Sequence, residues 1–137
     1  LLRDPCDTVS NTRARAIAVR KALLVHGLAH GFADAARGAG LATNQGFSGF
    51  SDFDLNVPYG GELNRAMQLP GPRHIVMCHP GHVDAELASR DPVVERRKME
   101  YDALMREPDL PLRIWRPSRA SNGPALDWTR SPEGMPA

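Results

Sequence analysis

The sequence has little of several features that would assign a protein to a class at once. Its 137 residues include only two cysteines, Cys6 and Cys78, too few for a disulfide framework, so we expect a reduced, cytoplasmic setting. No apolar run approaches the roughly 20 residues that span a bilayer, so no membrane span is predicted. The net charge is only +1, which removes any general electrostatic case for binding nucleic acid or an anionic membrane.

What is present fits one globular domain followed by a tail. Apolar residues make up 42% of the chain and charged residues 24%, ordinary proportions for a globular protein. We assign residues 1–116 to the domain, whereas residues 117–137, rich in proline, serine and glycine, predict a disordered tail. Residue 1 is leucine, and Leu1-Leu2-Arg3 is typical of the last residues of a strand, so we expect the beginning of the fold to be missing.

Hydrophobic spacing and turn residues predict helices that alternate with short strands. This order indicates an α/β fold with a mainly parallel sheet and flanking helices. Ser10 or Asn11 is expected to cap the first helix, and Asp91 the last. The side chains of the last helix expected to face the core are Val94, Tyr101, Leu104 and Met105. The predicted elements are a helix over 11–39, a strand over 41–44, a glycine-punctuated loop over 46–53, a helix over 61–69, a strand over 73–78, a helix from 91 that ends before Pro108, and a strand or extended segment over 110–115.

The most informative stretch is 74–84, where a short apolar run ends in His79 and a Pro-Gly turn follows. Parallel sheets of α/β enzymes place catalytic side chains at the ends of strands in this way. The alternative is a histidine that only caps the strand through a backbone hydrogen bond. Cys78 is expected to be a small buried residue, because adjacent residues on a strand point to opposite faces and disfavour a Cys-His dyad.

Other patterns in the sequence are less specific. His79, His82 and Asp84 are of the right types for a zinc site, but the Pro-Gly turn restricts their convergence, so we expect an exposed His82 and a capping Asp84. His26 and His30 are interpreted as surface or packing residues. The segment 46–49 is not a Gly-x-Ser-x-Gly elbow, so a serine nucleophile has no support.

Two further groups each allow two interpretations. Arg97 and Glu100, three residues apart, favour a solvated ion pair, although the pattern permits an Arg97 that faces the sheet. The second group consists of Phe47, Phe50 and Phe53. These aromatic side chains could line a groove for a sugar or lipid, but such residues more often belong to the core.

The run 75–81, then Asp84, then Arg97-x-x-Glu100 and Leu104, resembles the C-terminal half of the YdjC-like carbohydrate deacetylases. This family includes the chitooligosaccharide deacetylases and a branch associated with hopanoid biosynthesis, and the latter is the nearer match. Residues 40–44 and the Phe47-x-Gly49-Phe50 segment are also similar to that family. The resemblance covers about residues 1–115, and its His-Pro-Gly segment is moderately specific.

The resemblance implies the C-terminal part of a distorted (β/α) barrel that deacetylates N-acetylated sugars or glycolipids with a divalent metal, zinc or magnesium. The family takes its metal ligands from an Asp-Asp pair and a His-x-His segment in its first half, and neither motif occurs in this sequence. We therefore expect a partial deacetylase without metal ligands, inactive by itself. From its position at the end of a strand and from the resemblance, we hypothesise that His79 supplies a proton to the departing amine or holds a neighbour that does. The resemblance also implies that Arg97, Asp84 and Phe47 bind substrate or brace the site.

A second interpretation is a non-catalytic interaction module that retains half of the deacetylase fold. Half a barrel would present open strand edges and apolar faces, so we expect a partner: the missing N-terminal half or another copy of the chain. A nucleic-acid module is disfavoured, because residues 1–40 hold six basic and three acidic residues, which is too mild for a basic patch.

Overall fold

The computed structural model describes residues 1–114, so the tail predicted for 117–137 lies outside the described residues. Helices dominate this part of the chain, and two short strands lie between them. None of the helices in residues 1–114 combines the length and the apolar character that crossing a bilayer requires. The elements are α1 (Val9–Arg15), α2 (Val19–Leu28), α3 (Phe32–Gly38), β1 (Phe47–Ser48), α4 (Tyr59–Ala66), β2 (Ile75–Val76), α5 (Ala85–Arg90), α6 (Val94–Arg106) and α7 (Leu110–Arg113).

The single helix predicted over 11–39 is wrong, because the chain forms α1, α2 and α3 there. Ala16 and Ala18 adopt left-handed backbone angles, with φ of 52° and 42°, and so separate α1 from α2. Gly31, at φ 79°, separates α2 from α3. Thr8, rather than Ser10 or Asn11, caps α1 by accepting a hydrogen bond from the backbone N–H of residue 11 at 3.1 Å.

The two strands pair in parallel, with Phe47 opposite Ile75 and Ser48 opposite Val76. Strand β1 therefore lies inside the segment predicted to be a glycine-punctuated loop. Glycine is what permits the pairing, because a Cβ on Gly49 would lie 2.0 Å from the carbonyl oxygen of Met77. The strand predicted over 41–44 is reduced to one parallel bridge between Leu2 and Thr43. The mainly parallel α/β sheet and the barrel stay predictions, since the described sheet has two strands.

Helix α4 packs against α6 to form the small hydrophobic core around Tyr59, Leu63 and Leu110. Leu104 contacts this cluster as predicted. Met105 does not, since it is 69% exposed. The side chains of α6 that are buried instead are Arg96 and Glu100.

Three elements near the C-terminal end of the described chain also differ from the predictions. Helix α6 begins at Val94, and Asp91 does not cap it but accepts a hydrogen bond from the N–H of Val93 at 2.9 Å. Helix α5 was not predicted. The segment over 110–115 was predicted as a strand, but Leu110–Arg113 is helical because Pro111 suits the first turn of a helix.

Candidate active site

His79 lies three residues beyond β2, at the carboxyl end of the parallel pair. Its side chain is 29% exposed. The backbone of His79 is held on both sides by helix α6, because its N–H donates to Glu100 Oε2 and its carbonyl accepts from Arg97 at 3.3 Å. The backbone of His79 is thus fixed at the sheet edge, and its ring is reachable from solvent.

A buried network of charged groups from α4 and α6 supports this edge of the sheet. Glu100 and Arg96 are each 1% exposed, and Glu100 Oε1 lies 3.8 Å from Arg96 Nε. Arg96 donates to Glu62 Oε2 at 2.5 Å, and Glu62 also accepts from Ser51 Oγ at 3.0 Å. The network therefore contains two carboxylates and one guanidinium, and it joins α4 to α6.

Ser51 and His79 occupy equivalent places on the two strands, each three residues past a strand end. Because β1 and β2 are parallel and in register, these ends lie at the same edge of the sheet. Glu62 accepts a hydrogen bond from Ser51, and Glu100 accepts one from the N–H of His79. Arg96 lies between the two carboxylates. The edge is thus built by a continuous set of hydrogen bonds and ion pairs.

Phe53 packs against the His79 ring, with centroids 5.5 Å apart and the rings tilted by 68°. Its backbone is left-handed, with φ 57°, which is an outlier for a bulky side chain. Such strain costs about 1–3 kcal/mol and tends to persist at functional sites. Lys21 Nζ lies 4.9 Å from the Phe53 ring centroid and donates to the carbonyl of Ser51 at 3.1 Å, so α2 also contributes to this edge.

Arg97 contacts the backbone of His79 and does not pair with Glu100. Its Nε donates to Asp91 Oδ2 at 2.5 Å, and its backbone carbonyl accepts from the N–H of Gly81 at 3.4 Å. Hydrogen bonds from the Val93 N–H and from Arg97 lower the pKa of Asp91, so this carboxylate stays ionised. The predicted solvated Arg97–Glu100 pair is wrong, because Glu100 is buried.

Two of the predicted site residues, Asp84 and Phe47, have structural roles away from His79. Asp84 caps α5, where its Oδ1 accepts from the N–H of Leu87 at 2.8 Å, so its carboxylate serves the helix. Phe47 is 3% exposed and packs edge-on against Phe50, with ring centroids 5.4 Å apart. Such burial leaves Phe47 no surface for a sugar, which makes it a core residue.

Cys78 is exposed, so the prediction of a buried cysteine is wrong. The pKa of its thiol is nevertheless raised, because the sulfur is partly withdrawn from water and Glu100 lies near it. A raised pKa disfavours the thiolate, which agrees with the rejection of a Cys-His dyad. His82 is exposed as predicted, and its ring packs on Tyr101 with centroids 4.5 Å apart.

Residues 1–114 contain no group of three or more His, Cys, Asp or Glu side chains that could hold a metal ion. The donors in this range therefore do not fit the divalent metal that the resemblance implies. We derive no chemical step through that metal.

A second polar cluster lies at the amino end of β2. His74 Nε2 lies 2.8 Å from Ser48 Oγ, and His74 Nδ1 lies 3.8 Å from Asp7 Oδ2. This order of residue types resembles a hydrolytic triad, but the Ser48 hydroxyl donates to the carbonyl of Ala66 at 2.7 Å. Asp7 is paired with Arg15 at 2.6 Å, and Ser48 is 5% exposed. The cluster is therefore a buried clamp, and a serine nucleophile remains unsupported.

Sequence reasoning missed Arg96, Glu62 and the buried state of Glu100. One signal was present, because residues 96, 100, 103 and 104 repeat at the spacing of a single helix face. Ala103 and Leu104 on that face pack against the core. Glu100 was instead assigned to a solvated ion pair because of its i, i+3 spacing from Arg97.

Comparison of the chain with protein-family models, with curated proteins and with solved structures finds no match.

Proposed function

We propose that this chain contributes His79 to a metal-dependent deacetylase that acts on N-acetylated sugars or glycolipids. The observation that carries the proposal is the place of His79 at the carboxyl end of β2, held by α6 at its N–H and its carbonyl, with a partly exposed ring. The resemblance of residues 75–84 and 97–104 to YdjC-like deacetylases supports the same reading.

Amide hydrolysis needs a proton donor at the departing nitrogen. Water adds its oxygen to the acetyl carbonyl carbon, the carbon–nitrogen bond breaks, and acetate and a free amine are the products. The amine nitrogen takes a proton as it leaves, and a protonated His79 ring supplies it and becomes neutral. Histidine suits this task because it exchanges protons near neutral pH. Phe53 packs against the ring, and Glu100 and Arg97 hold the backbone of His79.

The divalent metal, zinc or magnesium, belongs to the proposal only through the resemblance. Since no such ligand group lies within residues 1–114, the ligands would come from other residues, such as the N-terminal half of the family fold or a second copy of the chain. We propose a cytoplasmic location, supported by the free thiols of Cys6 and Cys78.

The test of this function is acetate release from N-acetylglucosamine oligomers by the complete gene product, with zinc or magnesium added. Loss of a general acid lowers rates by about 10²–10⁴-fold, so we expect His79→Gln to fall in that range. The matched control is His82→Gln, which removes an exposed imidazole three residues away and should retain wild-type activity. A loss below tenfold for His79→Gln would contradict the catalytic role.

The second candidate function, a non-catalytic interaction module, is supported by a different surface. Leu24 and Leu28 lie one turn apart on α2 and are 64% and 80% exposed. Apolar side chains exposed in this way are typical of surfaces that meet another protein. A complete gene product that releases no acetate with either metal, yet associates through α2, would favour this candidate.

A further inference from the structure

The carboxylate of Glu100 lies between a buried arginine and the ring of His79. Its Oε2 accepts the His79 backbone N–H. Its Oε1 lies 3.8 Å from Arg96 Nε and 4.0 Å from His79 Nδ1, beyond hydrogen-bond distance of both. Two nitrogens thus face one buried oxygen, and His79 Nδ1 is the ring nitrogen on the Glu100 side.

The terminal nitrogens of Arg96 donate to groups other than Glu100. Its NH1 donates to the carbonyls of Asp54 and Val57, at 2.9 Å and 2.8 Å, and its NH2 donates to Glu62. Its Nε has no hydrogen-bond partner within residues 1–114. Because a buried carboxylate with too few donors is costly, a further donor to Glu100 Oε1 is favourable. A proton on His79 Nδ1 provides such a donor after a small movement of either side chain.

We propose that Glu100 is a positioning residue that keeps the neutral His79 ring in the tautomer with its proton on Nδ1. Nε2 is then the nitrogen that exchanges a proton with a substrate, and this role of Nε2 rests on the proposed function. The charged groups around the ring fit this arrangement. Asp91 forms an ion pair with Arg97, and the Lys21 ammonium lies over the Phe53 ring. Glu100 is therefore the carboxylate that faces His79 Nδ1.

The tautomer is measurable on the full 137-residue chain by NMR of ¹⁵N-labelled histidine, in alkaline buffer where a histidine ring is neutral. His79→Gln removes one set of ring signals and so assigns it. In the wild type we expect a protonated-type shift for Nδ1 and an unprotonated-type shift for Nε2. A His79 proton found mainly on Nε2 would overturn the proposal.

Glu100→Gln sharpens the test because an amide has one acceptor and one donor. The Gln carbonyl must stay on the His79 N–H, since two donors cannot face each other there. Its NH₂ then faces Nδ1, and we expect the ring proton to move to Nε2. The matched control is Asp91→Asn, which removes a nearby carboxylate and should leave the proton on Nδ1. Retention of the Nδ1 proton in Glu100→Gln, or an equal change in Asp91→Asn, would refute the role of Glu100.

The two proposals can fail separately. If His79→Gln keeps its deacetylase activity while the tautomers behave as expected, the proposed function fails and the positioning of His79 by Glu100 stands. If His79→Gln loses activity while Glu100→Gln leaves the tautomer unchanged, the positioning role fails and the proposed function stands.

Discussion

At the scale of single residues, His74 links the N-terminal segment to strand β1. Ser48 donates its proton to the carbonyl of Ala66, so His74 Nε2 must donate to Ser48 Oγ, and Nδ1 is left facing Asp7 without a hydrogen bond within residues 1–114. Gly46 permits this close contact, because a Cβ there would lie 2.5 Å from His74 Nδ1. Burial and the neighbouring Arg15 lower the pKa of His74 to about 4, against a smaller opposing effect of Asp7.

This pKa predicts a loss of stability in mild acid. The unfolded chain takes up the proton near pH 6.5, whereas the folded chain resists it until about pH 4, so stability is lost as pH falls through this window. The difference between the two pKa values corresponds to a loss of about 3 kcal/mol in the free energy of unfolding, and solvent screening lowers this loss to about 2 kcal/mol. In urea unfolding at several pH values, His74→Gln should lack this component. The control His30→Gln, at an exposed site, should retain it, and parallel pH curves for wild type and His74→Gln would contradict the prediction.

At the scale of elements, helix α6 shows what the sequence could and could not predict. The helix itself, the strand that precedes His79 and the apolar contact of Leu104 follow from hydrophobic spacing. The burial of Arg96 does not, because it depends on acceptors from segments distant in sequence, such as the carbonyl of Asp54. Likewise, nothing local marks Ala16 as a break, since alanine is the best helix former.

Removal of the buried cation of α6 is expected to destabilise the fold. Arg96→Met leaves two buried carboxylates, Glu62 and Glu100, without their shared partner. Breaking a buried ion pair in this way costs about 3–5 kcal/mol, which urea unfolding would measure. The control Lys98→Met changes an exposed cation on the same helix and should cost less than about 0.5 kcal/mol. Adding Glu62→Gln to Arg96→Met should recover part of the loss, and a cost below about 1 kcal/mol for Arg96→Met alone would contradict the network.

At the scale of the molecule, the described chain buries few large apolar side chains and exposes many. Three of the seven buried apolar residues within residues 1–114 are alanines, at positions 22, 36 and 66. The exposed large apolar side chains within residues 1–114 are Leu1, Leu2, Val9, Leu24, Leu28, Phe32, Leu41, Leu55, Leu69, Val83, Met105, Leu112 and Ile114. A core of this composition gives limited stability by itself, so contact with another polypeptide would add to it.

We therefore expect the purified chain to self-associate, with α2 as the main contact. Leu24 and Leu28 lie four residues apart on one face of α2, and burying both against another copy removes exposed apolar surface of that helix from water. Replacing both by Gln should shift the chain toward monomer in size-exclusion chromatography with light scattering, at concentrations where the wild type is larger. The control Arg20→Gln changes an exposed residue of the same helix and should elute with the wild type. A wild-type chain that stays monomeric at every concentration would show that these leucines tolerate water and that the molecule needs no partner.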